Sequence, residues 1–163
     1  MSDDKLGYEC QLYYDATRLG AVGGLSSSES AVDGSWTELT LVKDLAVPLT
    51  KAEADVTTRK NAGWKATRGG LKDGGITFDL LWDPTDADEG AGAGVTAVRE
   101  AFINNTLIPL AVMDGDIASN DQEGFVANFE ITGFERAEPL EESVTIAVTA
   151  KPRSNHEWYK VGA

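Results

Sequence analysis

The chain has 163 residues, with 14 basic and 27 acidic side chains, a net charge of −13 and 42% apolar residues. That is the size of one ordinary domain, able to bury roughly 68–70% of its unfolded surface, and it contains no apolar run long enough for a transmembrane helix. Its lone cysteine, Cys10, and lone histidine, His156, rule out an intramolecular disulfide, multi-cysteine metal sites and the usual histidine-based dyads, and so acidic a surface disfavours tight groove reading of nucleic acid.

In chain order, the opening residues Met1 to Lys5 lack the basic and apolar regions of a secretory signal, and no membrane anchor is expected. Tyr8, Cys10, Leu12 and Tyr14 alternate with polar neighbours and predict a first strand, with Cys10 as a small buried hydrophobe. A Gly, Ser and Ala-rich loop over 20–34 leads to a second strand over 36–42. Residues 51–72 then gather Lys51, Arg59, Lys60, Lys65, Arg68 and Lys72 against only Glu53 and Asp55, a local balance of +4 in an otherwise acidic chain. Such a run is commonly a solvated face; it also suits a basic segment of one copy meeting an acidic segment of another. Strand signals within it, at 54–60 and 64–69, are weak.

Ile76, Phe78, Leu80 and Trp82 alternate with mostly polar residues and mark a clearer strand. An acidic and then Gly/Ala-rich connection occupies 83–94. Val95, Val98, Ala101 and Phe102 next take helical spacing, predicting a helix over 95–104. So short a helix is marginal alone, so its stripe Val95, Val98 and Phe102 should dock on a sheet, and Phe102→Ala should cost about 3–5 kcal/mol. The apolar run 107–113 contains Pro109, which cannot donate to a ladder and should place it at an edge or at an irregular pairing. After a polar loop over 114–124, period-2 patterns at 125–133 and 144–150 predict two more strands. The termini 1–7 and 153–163 read as flexible. The expectation is a mainly β single domain over 1–163, an antiparallel β-sandwich or open barrel with one flanking α-helix.

The candidate chemistry is thin. Gly92-Ala93-Gly94-Val95-Thr96-Ala97 spells a dinucleotide fingerprint, but Asp83, Asp86, Asp88 and Glu89 precede it and would repel a pyrophosphate, so it reads as a flexible lead into the helix. Those acids, and Asp114, Asp116, Asn120 and Asp121, offer oxygen ligands without EF-hand spacing. Asp79 and Glu130 sit at polar strand positions where a paired-carboxylate glycosidase could place its acid and base, although carboxylates on the wet face of a sheet are commonplace. Trp36, Trp64, Trp82 and Trp158 suit a core or a subunit interface better than a sugar platform. No cofactor, no metal and no enzymatic activity are expected.

One further reading rests on the order of features from Ala54 to Pro152. The strand Ala54-Asp55-Val56-Thr57-Thr58-Arg59 turns into Gly63-Trp64, and Gly70-Leu71-Lys72-Asp73 leads to Ile76-Thr77-Phe78-Asp79-Leu80-Leu81-Trp82-Asp83-Pro84. A helix ending Arg99-Glu100-Ala101-Phe102 precedes Ile108-Pro109-Leu110-Ala111-Val112-Met113-Asp114-Gly115. Gly124-Phe125-Val126-Ala127-Asn128-Phe129-Glu130-Ile131 and Val144-Thr145-Ile146-Ala147-Val148-Thr149-Ala150-Lys151-Pro152 complete the series. Together these pieces resemble the major tail tube proteins of long-tailed bacteriophages, which are similar to the inner tubes of contractile tails and the Hcp-type tubes of type VI secretion.

The resemblance implies a structural virion protein, assembled in the host cytoplasm. Its hexameric rings would stack into a hollow tube around a tape-measure protein, begin on a tail tip or baseplate, end at a terminator, and pass DNA without binding it specifically. A tube wall must keep its polar sheet face on water, which assigns Asn128, Glu130, Thr132, Thr145 and Thr149 to the lumen. Lys51, Arg59 and Lys60, in a long loop from Lys51 to Asn61, would meet an acidic surface of an adjacent ring, either 83–89 with Asp86, Asp88 and Glu89 or 114–123. The alternative from another class is a monomeric β-sandwich module binding carbohydrate or a host surface; an Hcp-like tube of a contractile injection system is the other.

Overall fold

The computed structural model describes residues 5–15, 36–83, 91–119 and 121–160. In chain order these form β1 (Gln11–Asp15), β2 (Trp36–Glu38), β3 (Val42–Ala46), β4 (Leu49–Asp55), β5 (Thr67–Gly74), β6 (Ile76–Leu81), α1 (Ala91–Ile103), β7 (Leu107–Met113), β8 (Glu123–Ala137) and β9 (Thr145–Lys160). Seven strands make one antiparallel sheet in the order β2-β1-β7-β8-β9-β6-β3, and β4 and β5 pair separately as a hairpin.

The sheet is curled, and the topology says why. Its two edge strands, β2 and β3, are consecutive in sequence with only residues 39–41 between them, a stretch that spans at most about 14 Å. The edges must therefore approach one another. Leu39 N–H donates to the Leu12 carbonyl at 2.8 Å on one side, and Leu81 N–H donates to the Leu41 carbonyl at 3.0 Å on the other. The result is the expected open barrel with one helix.

Alternation selects the inner face. Leu12 and Tyr14, Ile108 and Leu110, Ile146, Val148 and Ala150, and Ile76, Phe78 and Leu80 all point inward and are buried. The helix contributes Val95, Ala97, Val98 and Ala101 to the same core. Gly94 permits that docking, because a Cβ there would lie 2.1 Å from Leu39 Cδ2. Gly124 is more constrained still: a Cβ would sit 1.8 Å from the Val112 carbonyl oxygen, so only glycine lets β7 and β8 close up at Met113↔Gly124. A smaller cluster of Tyr13, Ala111, Met113 and Val126 occupies the opposite face, covered by Trp36, Ile117 and Tyr159.

Several expectations need correction. The helix starts at Ala91, so the glycines at 92 and 94 lie inside it and do not form a lead-in. Phe102 is 40% exposed and stacks on Phe134 with centroids 6.1 Å apart, because the sheet meets it at its side and leaves its outer edge in water. Cys10 is exposed: pairing of β1 with β7 begins only at Gln11↔Met113, so the residues before it lack a neighbouring strand. The run with Pro109 is central, between β1 and β8. The proline is tolerated there because the β1 ladder stops at Tyr14↔Leu110, leaving one flank unladdered. Residues 153–160, expected to be flexible, complete β9 and pair with the start of β8 through Asn128↔Ser154 and Glu123↔Lys160.

Candidate assembly surfaces

Two surfaces lack cover within the chain. The first is the outer face of β8, β9 and β6 beyond the small apolar cluster. Thr77 pairs with Thr149, Asp79 with Ala147 and Leu81 with Thr145 across β6 and β9. Glu130 pairs with Lys151 and Glu135 with Ala147 across β8 and β9. Strand alternation puts these side chains opposite the buried Ile146, Val148 and Ala150, so the face carries threonines and the carboxylates of Asp79, Glu130 and Glu135 together with Lys151, Leu81 and Ala147.

Of the five residues expected on this face, four are open to solvent. Glu130, Thr145 and Thr149 are half-buried, and Thr132 is exposed with its hydroxyl donating to the Thr149 carbonyl at 3.3 Å. Glu130 lies 3.8 Å from the Arg153 guanidinium. Asn128 is the exception. It is 0% exposed and its amide donates to the Ser154 hydroxyl at 3.1 Å. Its neighbours Ala127 and Phe129 belong to the inner core and Val126 to the cluster on the opposite face, so Asn128 keeps its place on the outer face and is buried there beside Ser154, where the β8–β9 register shifts. Thr77, Asp79 and Glu135 were missed, although Thr77 and Asp79 occupy the polar register of the 76–82 pattern.

The second surface is the β4–β5 hairpin. It grows out of the β3–β6 ladder at Pro48 and Gly75, where Gly75 N–H donates to the Pro48 carbonyl at 3.1 Å. Every residue of β4 and nearly every residue of β5 is exposed. Neither strand carries an apolar stripe, so neither has anything to bury. A two-stranded hairpin is marginal on its own in water. Its tip is nevertheless built: Thr58 N–H donates to Asn61 Oδ1 at 2.8 Å, Ala66 N–H to Thr57 Oγ1 at 2.9 Å, and Trp64 N–H to the Asn61 carbonyl at 2.9 Å. Hydrogen bonds from the Thr57 side chain and backbone hold the Asp55 carboxyl below its ordinary value. Trp64 and Leu71 stand out at 80% and 87% exposed.

The basic residues assigned to ring contacts lie on this arm. Arg59 and Lys60 sit in a short helical turn at the tip, and Lys51 lies on β4, so the segment expected as a long loop is half strand. Asp86, Asp88 and Glu89 lie outside the described residues.

The sites considered for chemistry do not come together. Asp79 and Glu130 are two strands and four residues apart on the ladder, roughly 16 Å at ordinary strand spacing, which exceeds the reach of either glycosidase arrangement. Asp114 Oδ1 accepts the Glu123 N–H at 2.8 Å and Asp116 Oδ1 accepts the Ala118 N–H at 2.9 Å, so both carboxylates cap their loop. Among the described residues, no three His, Cys, Asp or Glu side chains cluster as metal ligands. Trp82 is half-buried under the Arg136 guanidinium, 5.0 Å from its ring centre.

No protein-family model and no curated protein matches the sequence. Solved structures do match. The tail of an empty gene transfer agent particle with C6 symmetry superposes with a TM-score of 0.68 at 13% identity, covering 96% of this chain and 99% of that one. The SPP1 tail tube gives 0.67 at 11% identity over 96% and 80% of the two chains. A chain of the anti-feeding prophage baseplate gives 0.55 at 5% identity, with both chains fully covered. The chain therefore shares its fold with these tail, tail-tube and baseplate chains.

Proposed function

We propose that this chain is a structural subunit of a phage-type tail tube, polymerising as hexameric rings stacked into a conduit for DNA. The observation that carries the reading is the end-to-end likeness to tail chains, one of them in a C6 assembly. Two features of the chain support it. A protruding hairpin with exposed Trp64 and Leu71 needs another surface to be stable. The uncovered face bearing Thr77, Asp79, Glu130, Thr132, Glu135, Thr145 and Thr149 is polar, and with Lys151 and Arg153 set against its carboxylates it carries no concentrated positive charge, a lining past which DNA slides without being held.

In this reading those outer-face residues line the lumen. Arg59, Lys60 and Lys51 on the arm reach an acidic surface of a neighbouring copy. A tape-measure protein fills the tube during assembly in the host cytoplasm, a tip or baseplate starts it, and a terminator closes it. The role is mechanical and uses no cofactor.

Size-exclusion chromatography with negative-stain microscopy of the purified chain tests this. Rings or filaments with a central channel are the expected result. A chain that stays monomeric at every concentration contradicts the reading and favours a monomeric binding module.

A further inference from the structure

A groove of about 740 Å³ lies between the base of the hairpin and the far end of the β8–β9 ladder. Its walls are apolar: Leu49 from β4, Phe125 from β8, and Pro152 and Trp158 from β9. Trp158 is 61% exposed although large and aromatic. Lys51 and Lys72 line the same groove and are paired directly across β4 and β5. Like charges in that position repel. Among the described residues neither lysine has an ion-pair partner, whereas Asp73, which lines the groove as well, is 3.8 Å from Lys151 Nζ and is thereby compensated. The groove thus combines an apolar floor with two uncompensated positive charges.

At the other end of the same ladder, the turn between β8 and β9 offers the complement. Leu140 is 100% exposed, flanked by Glu138, Glu141 and Glu142. Glu138 is occupied by Arg136 at 2.7 Å; Glu141 and Glu142 have no ion-pair partner among the described residues. The turn therefore presents one apolar knob with two uncompensated negative charges.

We infer that the Leu140 turn of one copy docks in the groove of the next, with Leu140 between Leu49 and Trp158 and with Glu141 and Glu142 beside Lys51 and Lys72. The occupant is a second copy because a chain cannot fill its own groove. Knob and groove stand at opposite ends of a 15-residue strand, roughly 45 Å apart at strand rise. A contact between two different surfaces of the same chain is head-to-tail, and it propagates where a twofold contact would close on itself. The inference rests on the tube reading and gives it a specific joint.

The test is a charge swap on exposed positions, with circular dichroism to establish that each variant is folded. Glu141→Lys with Glu142→Lys, and separately Lys51→Glu with Lys72→Glu, should each raise the concentration needed for polymers by about tenfold or more. Leu140→Asp should do the same. An equimolar mixture of the two reversed chains should polymerise again, as should one chain carrying all four changes. Reversed chains that polymerise at wild-type concentration, or folded reversed chains that neither mixing nor the fourfold change rescues, overturn this contact and leave the tube reading standing. A wild-type chain that forms no polymer overturns the tube reading and the contact with it.

Discussion

The β6–β9 pair and the β4–β5 hairpin are both antiparallel ladders of similar length, joined through Gly75 between β5 and β6, yet they obey different rules. In β6 and β9 every second residue is apolar and fully buried, from Ile76, Phe78 and Leu80 to Ile146, Val148 and Ala150. In the hairpin, Lys51, Glu53 and Asp55 face Lys72, Gly69 and Thr67, and no face is apolar. The first ladder is stabilised by the chain itself. The second is stabilised by its own hydrogen bonds and by whatever meets Trp64 and Leu71. One ladder makes the subunit, and the other, in the tube reading proposed above, serves the assembly.

The comparison breaks most readily in the core. Phe129 is 0% exposed and edge-on to Phe125 at 6.0 Å, so Phe129→Ala should destabilise the subunit by about 3–5 kcal/mol. Urea unfolding reads this directly, and a loss below that of Phe102→Ala would mean the core is misassigned. For Phe102, half in water but stacked on Phe134, the expected loss is about 1–2 kcal/mol.

On the arm the sign of the contrast reverses. Trp64→Ser and Leu71→Ser should leave subunit stability within about 0.5 kcal/mol of wild type while weakening polymerisation. Reversing Lys51, Arg59 and Lys60 to Glu should also leave a folded subunit that polymerises poorly. An exposed pair contributes only about 0–1 kcal/mol, but a ring repeats it, and added salt should weaken wild-type assembly in the same direction. A triple variant that unfolds would place the arm within the subunit's own stability.

The smallest effect concerns pH. Burial raises the Tyr14 phenol above its ordinary value of 10.0, so the folded chain keeps this proton at a pH where the unfolded chain releases it. The associated stability is intact below the unfolded value and is lost as pH rises through the folded one. Tyr13 shifts the same way, through burial and the carboxylates of Asp116 and Glu38, against a hydrogen bond from the Ile117 backbone. Tyr14→Phe should therefore flatten the alkaline fall in Tm above about pH 10 without changing its neutral behaviour.

Most of the self-sufficient ladder was legible in the sequence, because alternation in Phe78, Leu80, Ile146 and Val148 reports burial one residue at a time. The helix was legible at Val95, Val98 and Ala101. Its Phe102 misled, since helical spacing fixes the stripe but not how far the sheet extends beneath it. Cys10 misled for a related reason: alternation continues past the point where a neighbouring strand begins. Asn128 keeps the face that alternation gives it but is covered there beside Ser154, which no local pattern shows. The second half of β9 is polar and found its partner only through pairing with β8. The arm was visible as charge, but its lysine pair across β4 and β5, and the groove beneath it, depend on a register that joins residues about twenty positions apart.

Hydrogen exchange on the purified chain, before and after polymerisation, tests most directly the claim that one ladder belongs to the subunit and the other to the assembly. Amides of β6 and β9 should be strongly protected in both states, and those of residues 49–74 should exchange fast in the monomer and become protected in the polymer. Equal protection of the hairpin in both states, or protection gained in the core and not in the hairpin, would contradict the account.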